Sequence, residues 1–518
     1  MPKDKDLAPQ LSLLVTAAEM YPALETLCLE ARQEVLMTFR IFDPRTRLHS
    51  LAAEELGLST WAELIARVAS RGVKVRLLIS DFDPVFTPEL HRAAWDSGQG
   101  FGQALLKSAK EGDGPDFHGA EVLVAAHEAR SAPVWNRVFK AQIAHALEEL
   151  QRWSPDRLTP PQLRALQGVH RLRPATLHQK FAVADGRRAV IGGIDIDERR
   201  WDDEDHDRRA EETWHDVSTA VTGGVCRQLR RHFADCWQRA IAAGATSFGA
   251  EPAAESAHGP LPANRRSAAG PRLLRTLSIA AKGPLRLGPR PQVTEHEEAY
   301  LAAFETAERL VYVETQFFRH MPLARALARR AEARPDLNCI LILPSEPERV
   351  IFDGATSVDA RHEQALQLRC LNHLRAAFGK RLAVLAPAQP RPASPNTPKP
   401  IHGAPVVYLH SKVTLVDDRV GIIGSANLNG RSMRWDTEAS LQFQDREQIR
   451  QARDRLMASW LRGALARIDP CSAESWTQLA RDEAGRAPEE RETYLLPWPE
   501  ARNRRFARLF PLLPAEMF

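Results

Sequence analysis

The residues with the clearest chemical potential form one pattern that occurs twice: His, any residue, Lys, four residues, Asp. The first copy, LHQKFAVADGRRAVIGGIDID, holds His178, Lys180 and Asp185; the second, LHSKVTLVDDRVGIIGSANLNGRSM, holds His410, Lys412 and Asp417. Gly192 and Gly193 close the first copy where Gly424 and Ser425 close the second, and Asp195 stands where the second copy has Asn427. Along a strand, residues i and i+2 face the same side, so the His and Lys of one copy project together. Two such strands meeting at an interface place two imidazoles and two ammonium groups in one pocket. That set suits phosphodiester cleavage, which needs an in-line nucleophile, a proton donor opposite it and positive charge around the nonbridging oxygens. No metal and no cofactor is required.

The elements around the motifs repeat as well. Residues 17 to 39 read as a helix followed by the strand EVLMTF, and residues 297 to 318 repeat this as EAYLAAFETAERLVYVETQFF. A helix near 60 to 70 and the strand VKVRLLIS match LARALARRAEA and CILILPS in the second half. After each motif comes a helix with an apolar stripe: Cys226, Leu229, Phe233 and Trp237 in one, Ile449, Leu456 and Trp460 in the other. These residues are expected to pack on a sheet and are assigned no chemistry. The resulting expectation is an α/β fold of two similar halves, 1–243 and 272–518, each a mixed sheet flanked by helices, packed as a pseudo-dimer. The Ala-, Pro-, Gly- and Ser-rich stretch 244–271 reads as the linker, and the Pro-rich stretch 386–405 as a mobile loop near the site mouth.

A chain of 518 residues with 44% hydrophobic composition has ample material for a large core. Six cysteines without a paired spacing fit a reducing compartment and argue against structural zinc. The formal charge of +4 is small beside 70 Lys and Arg and 66 Asp and Glu, so it neither demands nor excludes a nucleic-acid or membrane partner. No long uninterrupted apolar stretch occurs, and the opening residues lack the layout of a secretion signal. The expectation is a soluble, cytoplasmic protein for which signal-independent secretion stays open.

The paired motifs resemble those of the phospholipase D superfamily, whose signature is a duplicated HKD. The FRIFD segment, YVETQFF of 312 to 318, WHDVSTAVTGG of 214 to 224 and WDTEASLQFQD of 435 to 445 extend the resemblance over most of the chain. The resemblance implies that one motif His attacks phosphorus to form a phosphohistidine while the other protonates the departing alcohol and then activates water or an acceptor alcohol. Family precedent favours His178 as nucleophile and His410 as acid and base, although the two copies are chemically equivalent on their own. Lys180 and Lys412, helped by Asn427, are expected to hold the nonbridging oxygens, with Ser425, Gly193 and Asp195 in support. A carboxylate on the second nitrogen of each His would steady it among so many cations, and Asp216 and Glu438 are the candidates. Asp185 and Asp417, near the strand ends, are expected to anchor the following turns. Glu314 and Gln316 are candidates to position Lys or solvent from beneath, and His170 and His402 are read as exposed loop residues.

The resemblance further implies a phospholipid substrate, transient contact with a membrane surface, no obligatory nucleic acid and a monomer with internal pseudo-twofold symmetry. Two alternatives use the same four residues: a nuclease, and a cardiolipin synthase-like phosphatidyltransferase, whose relatives commonly begin with membrane-spanning helices. A noncatalytic lipid-binding scaffold is the third. The tail RRFARLFPLLPAEMF is expected to cover core surface rather than anchor the chain in lipid.

Overall fold

The computed structural model describes residues 10–111, 120–168, 170–249, 270–511 and 513–518. Of the expected linker, 250–269 lie outside the described residues, while Thr246–Ser247 form an edge strand of the first sheet.

Eight strands make the first sheet: β1 (Leu11–Val15), β2 (Glu34–Phe39), β3 (Lys74–Ser80), β4 (Ala120–Ala125), β5 (Phe181–Ala184), β6 (Arg188–Gly192), β7 (Val217–Thr222) and β8 (Thr246–Ser247). Nine make the second: β9 (Arg272–Ile279), β10 (Arg290–Thr294), β11 (Leu310–Thr315), β12 (Asn338–Ile342), β13 (Leu382–Pro387), β14 (Lys412–Val416), β15 (Val420–Gly424), β16 (Glu438–Phe443) and β17 (Leu495–Pro497). The strand orders are β1-β7-β6-β5-β2-β3-β4-β8 and β10-β9-β16-β15-β14-β11-β12-β13-β17. Apart from β10 the two orders superimpose strand for strand. In each sheet three strands run parallel (β2-β3-β4 and β11-β12-β13), and their neighbours pair antiparallel.

Local chemistry explains the elements. The helix Trp61–Ser70 begins at a capping box in which Thr60 accepts from the Glu63 amide and Glu63 accepts from the Thr60 amide, and it buries Trp61, Leu64, Ile65 and Val68. The helices Gly224–Ala242 and Arg446–Leu461 bury the expected stripes, with Trp237 and Trp460 inaccessible to solvent. The apolar clusters run across the halves: Leu36, Phe181 and Trp237 pack with Leu273, Ala439 and Leu441. The halves therefore share a core, as in an obligate interface.

Two segments differ from expectation. The Pro-rich stretch is fixed: Ala388 pairs with Val406, and the Gln389 amide donates to the carbonyls of His206 and Arg208, the latter at 2.7 Å. His170 is tucked in, its Nε2 3.6 Å from Asp83, whereas His402 is exposed as expected. At the tail, the Gly430 amide donates to the Phe518 carbonyl at 3.0 Å and Phe518 is buried, so the segment does cover core surface. Among the described residues, no helix is long and apolar enough to cross a membrane.

Candidate active site

The motif segments enter the site just ahead of β5 and at the start of β14, and hydrogen bonds across the pseudo-twofold axis hold them there. The His178 amide donates to the Thr437 carbonyl at 2.8 Å and the Thr437 amide to the Thr176 carbonyl at 3.0 Å. In the mirrored place, the His410 amide donates to the His215 carbonyl at 2.8 Å and the His215 amide to the Tyr408 carbonyl at 2.9 Å. Each motif histidine is thus stitched to the segment of the other half that carries an acid.

The side chains cross in the same way. His178 Nδ1 stands 2.9 Å from Glu438 Oε1, and His410 Nδ1 stands 2.6 Å from Asp216 Oδ2. A carboxylate on Nδ1 fixes the ring orientation and leaves Nε2 as the nitrogen for chemistry. The sequence named these acids but not their partners, since spacing within a motif says nothing about which half meets which. Both lysines are buried: Lys180 Nζ donates to the His178 carbonyl at 2.6 Å and lies 3.8 Å from Asp195, and Lys412 Nζ lies 2.8 Å from His410 Nδ1. The His178 side chain keeps 12% of its exposure and that of His410 7%, so both rings are largely but not wholly buried.

The supporting residues are not symmetric. Ser425 Oγ donates to Glu438 and Ser432 Oγ donates to its other oxygen at 2.6 Å. Gly193, the counterpart of Ser425, leaves room for Asp216: a Cβ there would lie 2.2 Å from Asp216 Oδ1. Asp195 accepts from the amides of Arg40 and Ile41, both at 2.9 Å, whereas Asn427 is buried with an unpartnered side-chain oxygen. An amide oxygen is an acceptor, so the unpartnered atom suits a ligand hydroxyl or N–H.

Four residues lie elsewhere than at the reacting centre. Asp185, in left-handed backbone with φ of 53°, accepts from the amides of Arg32, Gln33 and Glu34 at 2.7 to 3.0 Å, and so belongs to the structure rather than the chemistry. Asp417, at φ of 50°, does the same for Glu308, Arg309 and Leu310 at 2.8 to 2.9 Å. Each carboxylate pins the helix-to-strand junction that leads into β2 or β11. Asp185→Ala and Asp417→Ala are each expected to lower stability by about 2–3 kcal/mol, because three amides lose a charged acceptor. A drop in the urea midpoint reports this, and Asn should recover part of the loss. Glu314 accepts from Tyr312 at 2.5 Å, Ser411 at 2.7 Å and Trp460 at 2.9 Å, on the face away from His410 and Lys412, so it braces the sheet and does not hold Lys. Gln316 donates to the Tyr408 hydroxyl at 2.9 Å and braces the segment ahead of the second motif.

Sequence reasoning missed three neighbours of the motifs. The Trp214 ring lies 4.7 Å from that of His410, Arg200 lies 4.8 Å above Trp214, and Arg40 projects its charge onto His178 and Lys180. Arg40 and Trp214 fall inside segments that carry the family resemblance, which was their only signal.

Burial, reinforced by Lys180, Arg40 and Lys412, holds the His178 imidazole well below its ordinary value; burial, Lys412, Lys180, Arg200 and His178 do the same for His410. Charges from both halves therefore act on both rings. Burial pushes the Asp216 carboxyl up to about 7 and that of Glu438 up to about 8, in each case against nearby lysines. Burial also pulls Lys412 down to about 7. If charged Lys412 holds substrate oxygen, kcat/KM is expected to fall as pH rises through the neutral range, because the ammonium is lost above its pKa. In Lys412→Arg the guanidinium stays charged, so a pH profile should show the alkaline limb displaced to higher pH.

Comparison with known proteins agrees with this architecture. Residues 300–460 match the family model described as cardiolipin synthase, PLD-like domain. The chain carries a phospholipase D-like domain. Its sequence is 27% identical over 178 residues to phospholipase D C of Dictyostelium discoideum, covering 30% of this chain and 11% of that one. It is 26% identical over 277 residues to cardiolipin synthase A of Pseudomonas entomophila, covering 52% of this chain and 44% of that one. Both matches span less than half of the relative's length. A likeness of fold extends further than the family match: the crystal structure of phosphatidylserine synthase from Haemophilus influenzae superimposes with a TM-score of 0.53 at 14% identity, covering 86% of this chain and 85% of that one.

Proposed function

We propose that the chain is a phospholipase D-type phosphodiesterase that cleaves glycerophospholipids, or transfers their phosphatidyl group, through a phosphohistidine. The observation that carries the reading is the crossed pair: two imidazoles, each with Nδ1 on a buried carboxylate of the other half, flanked by two buried lysines. His178 Nε2 attacks phosphorus, and the bond from phosphorus to the head-group oxygen breaks. That oxygen takes a proton from the His410–Asp216 pair, which titrates as a unit because its members share a proton. Water or an acceptor alcohol then gives a proton back to the pair and attacks phosphorus, breaking the P–N bond and restoring His178. Lys180 and Lys412 offset the charge of the five-coordinate state, with the Asn427 side-chain N–H as a neutral donor.

Hydrolysis and transfer differ only in the acceptor. The family model and the phosphatidylserine synthase fold favour an alcohol acceptor as the second reading. Incubation with phosphatidylcholine and ethanol separates these outcomes. Phosphatidic acid alone marks a hydrolase, phosphatidylethanol marks transfer, and cleavage of DNA without either lipid product would replace the proposal with a nuclease.

A further inference from the structure

Arg40 breaks the pseudo-twofold symmetry of the site. It follows β2, and its amide is fixed by Asp195, whose other oxygen lies 3.8 Å from Lys180. Its guanidinium lies over the Phe82 ring at 5.0 Å, is half-buried, and among the described residues has no hydrogen bond or ion pair. In the second half the residue after the corresponding strand is Gln316, which is committed to Tyr408. A desolvated guanidinium without a partner is costly unless a bound anion completes it. The scissile diester cannot supply that anion fully: it has two nonbridging oxygens, and Lys180 and Lys412 stand ready for both.

We propose that Arg40 binds a second oxyanion of the substrate, a carboxylate or a further phosphate borne by the head-group alcohol, and so selects acidic head groups. This rests on the reading of the site as a phosphodiesterase centre. Planar guanidinium geometry matches either group with paired N–H donors. The Phe82 ring supports the cation without competing for its hydrogen-bonding edge.

The test uses His178→Ala, which leaves a diester intact, and two soluble ligands that share a primary ammonium and differ in a carboxylate, glycerophosphoserine and glycerophosphoethanolamine. Calorimetry is expected to show about tenfold tighter binding of glycerophosphoserine. Arg40→Gln in the same background should abolish the preference and Arg40→Lys should retain part of it. Equal affinity for the two ligands, or a preference that survives Arg40→Gln in a variant with an unchanged melting temperature, overturns the proposal. Turnover of phosphatidylserine and phosphatidylcholine by the unaltered protein is read separately: failure to cleave either counts against the phosphodiesterase reading, while cleavage with no Arg40-dependent binding preference counts against Arg40 alone.

Discussion

Replacing His178 with Ala is expected to lower turnover of phosphatidylcholine by at least about a thousandfold, and His410→Ala to do so by a similar factor for a different reason. Without the His178 imidazole no P–N bond can form, so no burst of released choline should appear. Without His410 the first bond can still form when the leaving alcohol is acidic, because an acidic alcohol departs without protonation. A phosphodiester with a p-nitrophenol leaving group should therefore rescue the burst in His410→Ala but not in His178→Ala. Equal rescue of both variants would contradict the division of roles. The double variant is expected to be no slower than the worse single one, because residues acting as a unit lose their effect together.

The second large effect follows from the crossing of the acids. Asp216→Asn, although placed in the first half, is expected to impair the second half's His410, and Glu438→Gln to impair His178. An amide in place of the carboxylate offers a different tautomer to Nδ1, a change worth about 10²- to 10⁴-fold in related histidine–carboxylate pairs. Single-turnover kinetics distinguish the two variants: Glu438→Gln should slow formation of the intermediate whatever the leaving group, whereas Asp216→Asn should slow both leaving-group protonation and breakdown, so that a p-nitrophenol leaving group restores formation but not breakdown. If each acid instead impaired the histidine of its own half, the arrangement described above would be wrong.

Much of this site was legible in the sequence because its parts are local. A two-residue spacing fixes which side chains share a strand face, and a three-to-four spacing fixes which helix residues meet the sheet. That accounts for His178 with Lys180, His410 with Lys412, and the stripes ending in Trp237 and Trp460. The duplicated strand order follows from the repeat itself. What spacing does not encode is contact across the pseudo-twofold axis: His178 and Glu438 are 260 residues apart and meet only because the segments at 177 and 437 pair between the sheets. Glu314 shows a second limit, for alternation places it on one face but does not say which, and the ring of Tyr312 and Trp460 around it sets the face opposite Lys412. The Pro-rich stretch shows a third. Proline marks irregular chain, yet its fixed φ also lowers the entropy lost on ordering, and here the stretch is held by Gln389.

The most direct test of a shared site is to trap the covalent species. Asp216→Asn would be mixed with a phosphatidyl ester of p-nitrophenol labelled at phosphorus, whose leaving group needs no protonation, quenched in alkali to protect a P–N bond, and mapped by mass spectrometry. The expected result is label on the peptide containing position 178, persisting because the paired acid of the other histidine has been altered. Absence of label, or label on any residue other than that histidine, would contradict the account.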